Sequence, residues 1–176
     1  MNRKFFKLLI SIWFLSTAAM AQNESFVGLS SNFEVNNYTL SYKYGLTFEK
    51  QFAPKWSFET GLFSKDYIFS TQNVKMKFAS IPFFLKFNSN ILNLSAGVNS
   101  SYYLGWKYIS NLVQPASVNY NVFSLAASFK ISKDIKLNER LFLEPEFTLN
   151  LYNPYGNNVE IGSGLKLKYK LSQIVH

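Results

Sequence analysis

Cysteine is absent from this 176-residue chain, and histidine occurs once, at the last position, His176. Without cysteine the chain can form no disulfide framework, no thiolate metal site and no lipoprotein anchor. Without an internal histidine it lacks the usual base of hydrolases that activate a serine or cysteine nucleophile. Glycine-rich phosphate loops, zinc-ligand spacings and calcium loops are missing as well. The sequence therefore predicts that the protein is not an enzyme and uses no cofactor and no metal.

Long hydrophobic runs are also missing, since the apolar core at residues 8–15 is too short for a transmembrane helix of ~20 residues. The first seven residues carry three positive charges, and Ala19-Met20-Ala21 follows the small-x-small rule for signal peptidase. We therefore expect a cleaved signal peptide at 1–21 and a single mature domain at 22–176. An uncleaved N-terminal anchor is the alternative, and the short apolar core argues against it.

The net charge of +8 raises the question of a nucleic-acid partner. Removal of residues 1–21 takes away three positive charges and no negative ones, which leaves 15 Lys and Arg against 10 Asp and Glu. The remaining net charge is +5, and the lysines are scattered along the chain rather than gathered in a patch. We therefore expect no nucleic-acid partner.

The mature chain shows repeated alternation of apolar and polar side chains. In residues 38–49 every second side chain is apolar: Tyr38, Leu40, Tyr42, Tyr44, Leu46 and Phe48. A period of two indicates a strand with one apolar and one polar face. The same pattern predicts strands at 92–104, 141–151 and 159–171, and less regular strands at about 25–35, 56–68, 75–87 and 119–131. Phe84 is an exception, because it is a large apolar residue on a polar face.

The predicted strands are unusually long. A strand tilted by ~45° needs ~9–11 residues to cross a bilayer, and every predicted strand reaches that length. Strands of soluble β-proteins usually have ~5–6 residues. The sequence therefore predicts an all-β fold, an antiparallel up-and-down transmembrane β-barrel of about eight strands.

One segment and the overall pattern resemble a known family. Residues 79–87, Ala-Ser-Ile-Pro-Phe-Phe-Leu-Lys-Phe, resemble a mid-barrel strand of the porin-like outer membrane protein beta-barrel domain family of Gram-negative bacteria. The resemblance implies a protein that is exported through the periplasm to the cell outer membrane and surrounded by outer-membrane lipids. It implies no particular substrate.

The last predicted strand resembles the insertion signal that the barrel-assembly machinery recognises in such proteins. This pattern, a polar residue, then glycine, then two large apolar residues, falls on Glu160, Gly162, Leu165 and Leu167. The chain departs from the family pattern because it continues beyond Tyr169 instead of ending on an aromatic residue.

Signal cleavage would leave the N-terminus in the periplasm, so the odd-numbered connections would be extracellular. The longest of these, predicted at 105–118, is a possible contact for a surface partner. Aromatic residues near the strand ends predict two interfacial belts. The outer belt would contain Tyr38, Tyr67, Tyr102, Tyr103, Trp106, Tyr108 and Tyr152. The inner belt would contain Phe48, Phe52, Trp56, Phe87, Phe129 and Tyr169.

Charged residues on the polar faces predict an ion-paired barrel interior. These residues are Lys43, Glu49, Glu59, Lys86, Glu144, Glu146, Lys166 and Lys168. Hairpin geometry predicts Glu144 opposite Lys168, Glu146 opposite Lys166, Glu59 near Lys86, and Glu49 opposite Glu59. Eight strands enclose a space that side chains can fill, so we expect a closed interior rather than a broad pore.

Three functional interpretations follow. The first is a non-enzymatic membrane barrel with a role in envelope integrity or surface interaction. The second is a narrow channel or uptake component. The third is a soluble, lipocalin-like barrel that holds a small ligand, which requires the apolar faces to point inward. Alternation alone does not decide which face points inward.

Overall fold

The computed structural model describes residues 24–36, 39–69, 74–108, 122–152 and 159–171. The predicted signal peptide at 1–21 lies outside the described residues. Across these ranges, no helix has the length and apolar character needed to cross a membrane.

The described residues form nine β-strands. Their bounds are β1 (Ser25–Val35), β2 (Leu40–Ala53), β3 (Trp56–Phe69), β4 (Val74–Phe87), β5 (Asn93–Tyr108), β6 (Phe123–Ser132), β7 (Ile135–Lys136), β8 (Leu141–Tyr152) and β9 (Val159–Lys170). Eight of them have 10 to 16 residues, and β7 has two. The eight long strands lie at the predicted positions, within a few residues at each end.

Two details differ from the predicted strands. β5 continues to Tyr108, so the first four residues of the predicted loop at 105–118 are strand, and the rest of that loop lies outside the described residues. The extension forms because β5 keeps its pairing with β4 past a bulge, up to the pair Val74–Tyr108. The short β7 was not predicted, and it forms where the connection after β6 folds back onto β8.

The strands form one antiparallel sheet in the order β6-β5-β4-β3-β2-β1-β9-β8-β7, and an additional β6–β8 pairing closes it. Each long strand therefore pairs with its neighbours in sequence, and the first pairs with the last. The predicted all-β, up-and-down, eight-stranded barrel is confirmed. Closure leaves no long unpaired edge among the described strands.

The barrel has two ends, which we call the turn end and the loop end. The turn end holds the short connections at residues 54–55, 88–92 and 133–140. The loop end holds the connections between β1 and β2, β3 and β4, β5 and β6, and β8 and β9.

The apolar faces of the strands point outward. Leu29 and Leu46 are each 62% exposed, whereas Lys86 and Glu144 are fully buried. This arrangement contradicts the lipocalin-like alternative, which requires apolar side chains inside and charged ones outside. The inward faces combine short Ser, Asn and Gly residues with long charged side chains. The short residues leave room for the charged side chains in the narrow interior.

Gly162 and Gly164 on β9 show how tightly the interior is filled. A Cβ on Gly162 would lie 2.5 Å from Glu34 Cγ and 2.7 Å from Thr148 Oγ1. A Cβ on Gly164 would lie 2.5 Å from Asn32 Cγ. Glycine at these positions makes space for polar neighbours inside the barrel.

The interior carries a small apolar cluster near the loop end. Val74, Met76 and Phe78 of β4 are buried there, and Tyr67 and Tyr103 pack against them. The Phe78 ring lies 5.3 Å from the Tyr67 ring and 5.4 Å from the Tyr103 ring, both edge-on. The assignment of these two tyrosines to the outer aromatic belt was therefore wrong. Their positions along β3 and β5 share the inward face with Lys65 and Ser101.

Most of the other predicted belt residues are exposed or lie outside the described part of the chain, and Phe87 is half-buried. Five of the inner-belt residues, Phe48, Phe52, Trp56, Phe129 and Tyr169, are 37–49% exposed. Phe87 packs edge-on against Trp56 at 5.1 Å. Tyr102 and Trp106 of the predicted outer belt are exposed. Tyr38 and the side chains of Tyr108 and Tyr152 lie outside the described part of the chain.

Candidate functional site

The candidate site is the charged interior of the barrel, built from inward-facing positions of seven strands. It contains six buried glutamates and six buried lysines, so the formal charges of this set cancel. The glutamates are Glu34, Glu49, Glu59, Glu144, Glu146 and Glu160. The lysines are Lys43, Lys65, Lys86, Lys130, Lys166 and Lys168. Burying a charge costs several kcal/mol unless it is paired, so neutrality is a condition for this interior.

Glu144 on β8 is the centre of the larger group of contacts. Lys86 Nζ lies 2.7 Å from its Oε1, and Lys168 and Lys166 lie 3.0 and 3.3 Å from its Oε2. The Ser132 hydroxyl donates a further hydrogen bond to Oε1 at 2.5 Å. These partners come from β4, β6 and β9, so one carboxylate connects strands from different sides of the barrel.

Glu49 and Glu59 lie directly opposite each other on β2 and β3, as predicted. Like charges in this position repel, and each carboxylate contacts two lysines. Lys86 and Lys168 lie 3.0 and 3.1 Å from Glu49 Oε2.

Glu59 takes its two lysines from other strands. Lys130 Nζ lies 2.5 Å from Oε1, and Lys166 Nζ lies 2.8 Å from Oε2. Four ammonium groups thus offset the repulsion between the two opposed carboxylates.

A second ion-pair group lies nearer the loop end. Lys65 Nζ pairs with Glu34 and lies 2.6 Å from Glu160 Oε2. The Ser41 hydroxyl donates to Glu160 Oε1 at 3.2 Å, and the Lys65 ammonium lies 4.5 Å from the centre of the Tyr67 ring. This group therefore borders the apolar cluster.

The region between the two groups holds Glu146, Asn32 and Lys43. Glu146 Oε1 accepts a hydrogen bond from Asn32 Nδ2 at 2.6 Å, and its Oε2 lies 3.2 Å from Lys130 Nζ. The Lys43 ammonium lies 4.5 Å from the centre of the Phe63 ring, which is a cation–π contact. Along the barrel axis the interior is thus a stack of apolar and ionic layers.

An aromatic layer closes the stack at the turn end. Phe26 and Phe142 meet edge-on with ring centres 5.6 Å apart, and the Lys168 ammonium lies 5.0 Å from the Phe26 ring centre. Asp134, from the connection after β6, lies 2.7 Å from Lys168 Nζ. Phe84, the exception in the alternation, also points inward, and Lys130 lies 4.9 Å from its ring centre.

The structure places all eight sequence-predicted interior residues inside the barrel, but it changes their pairing. Glu144 lies opposite Lys166, and Glu146 lies opposite Gly164, so the predicted β8–β9 register was wrong by two residues. Lys168 still reaches Glu144, and Lys166 lies 3.4 Å from Glu146, because long side chains bridge diagonal positions.

The β3–β4 register differs in the same way. Glu59 lies opposite Phe84, and Lys86 lies opposite Ser57, so Lys86 contacts Glu49 and Glu144 instead of Glu59. The predicted β3–β4 register was therefore also wrong by two residues.

The interior roles of four residues were not predicted from the sequence: Glu34, Lys65, Lys130 and Asp134. Glu34 shares the face of Asn32, and Lys65 shares the face of Glu59, so the period of two would have found both. Both lie on strands of less regular pattern, where the alternation is harder to follow from end to end. Asp134 follows β6 in a connection, where no periodic signal exists.

The four residues of the insertion-signal pattern divide between the two faces. Glu160 is buried in the second ion-pair group, and Gly162 faces inward beside Glu34. Leu165 and Leu167 are exposed on the outer face. This strand therefore presents two large apolar residues on its outer face and a glycine on its inner face.

Carboxylate oxygens of Glu49, Glu59 and Glu144 lie within 4.8 Å of one another, a spacing that suits a metal ion. Lys86, Lys166 and Lys168 contact the same three carboxylates and supply the positive charge that an ion would supply. The chemical effect of this arrangement is mutual neutralisation, which holds the strands together.

No protein-family model matches the chain. No curated protein matches it either.

Solved structures that resemble the protein are small outer-membrane barrels. The N-terminal barrel domain of Pseudomonas aeruginosa OprF is 13% identical, with a TM-score of 0.53 over 84% of this chain and 100% of that one. Pseudomonas aeruginosa OprG is 15% identical, with a TM-score of 0.51 over 86% of this chain and 97% of that one. Ail of Yersinia pestis is 11% identical, with a TM-score of 0.51 over 85% and 97%. The chain therefore has the fold of these barrels.

Replacing Glu144 with glutamine should lower the free energy of unfolding by about 3–5 kcal/mol, because three buried lysines lose a shared counter-charge. Adding Lys168→Met should restore part of that loss, since it removes one positive charge from an interior that then holds six lysines and five glutamates. A double-mutant cycle measured by urea unfolding of the refolded barrel should give a coupling energy of about 0.5–3 kcal/mol.

The matched control is the cycle between Glu144→Gln and Lys65→Met. Lys65 pairs with Glu34 and Glu160 in the other ion-pair group, so these two changes should be additive within about 0.5 kcal/mol. Equal coupling in both cycles would mean that only the total charge of the interior matters and that the specific Glu144–Lys168 contact does not.

Proposed function

We propose that the protein is a non-enzymatic, integral outer-membrane barrel that carries surface loops and contributes to envelope integrity or surface interaction. The observation that carries this proposal is the distribution of polarity around the closed sheet. Apolar side chains cover the outside, and the charges pair with one another inside. A bilayer is the solvent that such a surface fits, because every backbone group within it must be satisfied internally.

The N-terminal pattern at 1–21 supports export through the periplasm, and the pattern of Glu160, Gly162, Leu165 and Leu167 supports recognition by the barrel-assembly machinery. Export would leave the turn end at the periplasm and the loop end at the cell surface. The residues after Tyr108, in the longest connection, are the proposed contact for a surface partner.

The interior argues for an anchor rather than a channel. Two ion-pair groups and aromatic layers near both ends occupy the space inside the sheet, as expected for eight strands. The similar solved structures support the fold. The filled interior supports a structural or surface role over a channel role.

Membrane residence predicts that the protein pellets with the envelope and requires detergent for extraction. An unboiled sample should migrate differently from a boiled one in an SDS gel, because a closed barrel has no free edge at which unfolding can begin. Expression without residues 1–21 is the control, and that chain should not reach the envelope. A wild-type chain that stays in the soluble fraction with identical mobility in both gels would refute the proposal.

The outward face should show a depth-dependent response to charge. Leu46 lies in the middle of β2 and is exposed, so Leu46→Arg should cost about 2–4 kcal/mol of stability in lipid vesicles. Leu171 lies just after β9 at the turn end, and the same exchange there should cost about 0–1 kcal/mol. A folding titration into vesicles measures both values. Equal costs for the two variants would contradict burial of Leu46 in hydrocarbon.

A filled interior predicts no large, steady single-channel conductance in planar bilayers. Open aqueous channels belong to barrels of ~16–18 strands, and such a porin is the positive control in the same bilayer. A stable conductance of porin size, unchanged by Glu144→Gln, would show that ions avoid the ion-pair network and would favour the channel interpretation.

A further inference from the structure

One part of the outward surface is charged instead of apolar. At the loop end, a concavity of about 410 Å³ opens on the outer wall across β2 to β5. Three lysines, one aspartate and two aromatic residues line it: Lys75, Lys77, Lys107, Asp66, Tyr44 and Trp106. We call this surface the basic patch.

In the part of the chain that the structure describes, two lysines of the basic patch have no counter-charge. Lys75 Nζ lies 2.8 Å from Asp66 Oδ2, and Asp66 is the only carboxylate among the described residues that line the concavity. Within the described ranges, no carboxylate lies within 4.0 Å of Lys77 or Lys107. The sequences of the adjacent connections, 70–73 and 109–121, contain no Asp or Glu. The patch therefore carries a local charge of about +2, which matches the −1.5 to −2 of a phosphomonoester.

The depth of the patch corresponds to a lipid headgroup. Lys77 is ten residues along β4 from Phe87, which packs on Trp56 at the turn end. At ~3.3 Å per residue and a tilt of ~45°, that separation spans about 23 Å across the bilayer. The apolar band of such barrels is ~25 Å tall. If Phe87 marks one interface, Lys77 lies at the other.

The surface next to the patch is apolar and continuous with it. Leu46 and Leu62 are paired on β2 and β3, two to four residues from Tyr44 and Asp66, and both point outward. A free phosphate would use only the lysines, whereas an acylated phosphate would also use this apolar strip. A side-chain Cβ at Gly105 would meet nothing within 4 Å, so the concavity is open on that side.

We propose that the basic patch binds the phosphomonoester headgroup of an outer-leaflet lipid, with its acyl chains along Leu46 and Leu62. This inference rests on the proposed membrane location. Lys77 and Lys107 bind the phosphate, and Lys75 is held in place by Asp66. The site would make the barrel selective for the lipids that surround its loop end.

The test uses Trp106 as a reporter in vesicles of phosphatidylcholine. A Trp56→Phe variant, purified from the envelope, removes the other tryptophan of the barrel. Brominated phosphatidic acid is a phosphomonoester lipid that quenches a tryptophan it touches. Brominated phosphatidic acid should bind about tenfold more strongly than brominated phosphatidylcholine. This preference should nearly disappear in Lys77→Gln/Lys107→Gln.

The matched control replaces two exposed lysines at the turn end, Lys55→Gln/Lys136→Gln, and should keep the full preference. Equal quenching by the two lipids, or an unchanged preference in Lys77→Gln/Lys107→Gln, would overturn the lipid site. Loss of the preference on addition of inorganic phosphate at the same concentration as the lipid would assign the patch to free anions and overturn the lipid assignment.

The same samples are run unboiled and boiled on SDS gels. A folded barrel without a lipid preference would overturn this inference alone. A chain that is absent from the envelope and soluble instead would overturn the proposed function, and this inference with it.

Discussion

Charge neutrality inside a narrow closed sheet is the constraint on which the rest of this structure depends. Eight strands enclose a space only as wide as the side chains that fill it, so little water remains to solvate a charge. Every buried glutamate must then find its counter-charge on another strand. The six lysines and six glutamates meet that condition as a set, and Glu144 meets it with three lysines at once.

This constraint also explains the order of layers along the axis. The ammonium groups of Lys65, Lys130 and Lys168 lie over the rings of Tyr67, Phe84 and Phe26. Aromatic rings carry negative charge on their faces, so they accept a cation without adding a formal charge. These rings thus contact the ammonium groups without disturbing the neutrality of the interior.

The outer wall is apolar where the interior is charged, since most outward-facing strand positions carry apolar side chains. Against that background, Lys75, Lys77 and Lys107 form a local exception at the end of the barrel where the sequences of the connections contain no charged residue. The loop end therefore differs chemically from the turn end, where charged residues such as Lys55, Asp134 and Arg140 lie in the connections themselves. This asymmetry distinguishes the two membrane interfaces that the barrel would meet.

The sequence by itself determined the strands and the grouping of side chains by face. The period of two in residues 38–49 places Lys43, Thr47 and Glu49 together, whatever their partners. A shift of register by two residues leaves every side chain on its face, which is why the errors at β8–β9 and β3–β4 changed the pairs without changing the set.

Only the tertiary structure decided which face points inward, and which charges meet. Alternation is the same for a barrel with an apolar core and for one with an apolar exterior, so burial of Lys86 and exposure of Leu46 were needed to separate them. The contacts of Lys86 with Glu49 and Glu144 join β4 to β2 and β8 across the interior. Such pairs exist because the sheet closes, and closure depends on the pairing of strands far apart in sequence, which local periodicity does not encode.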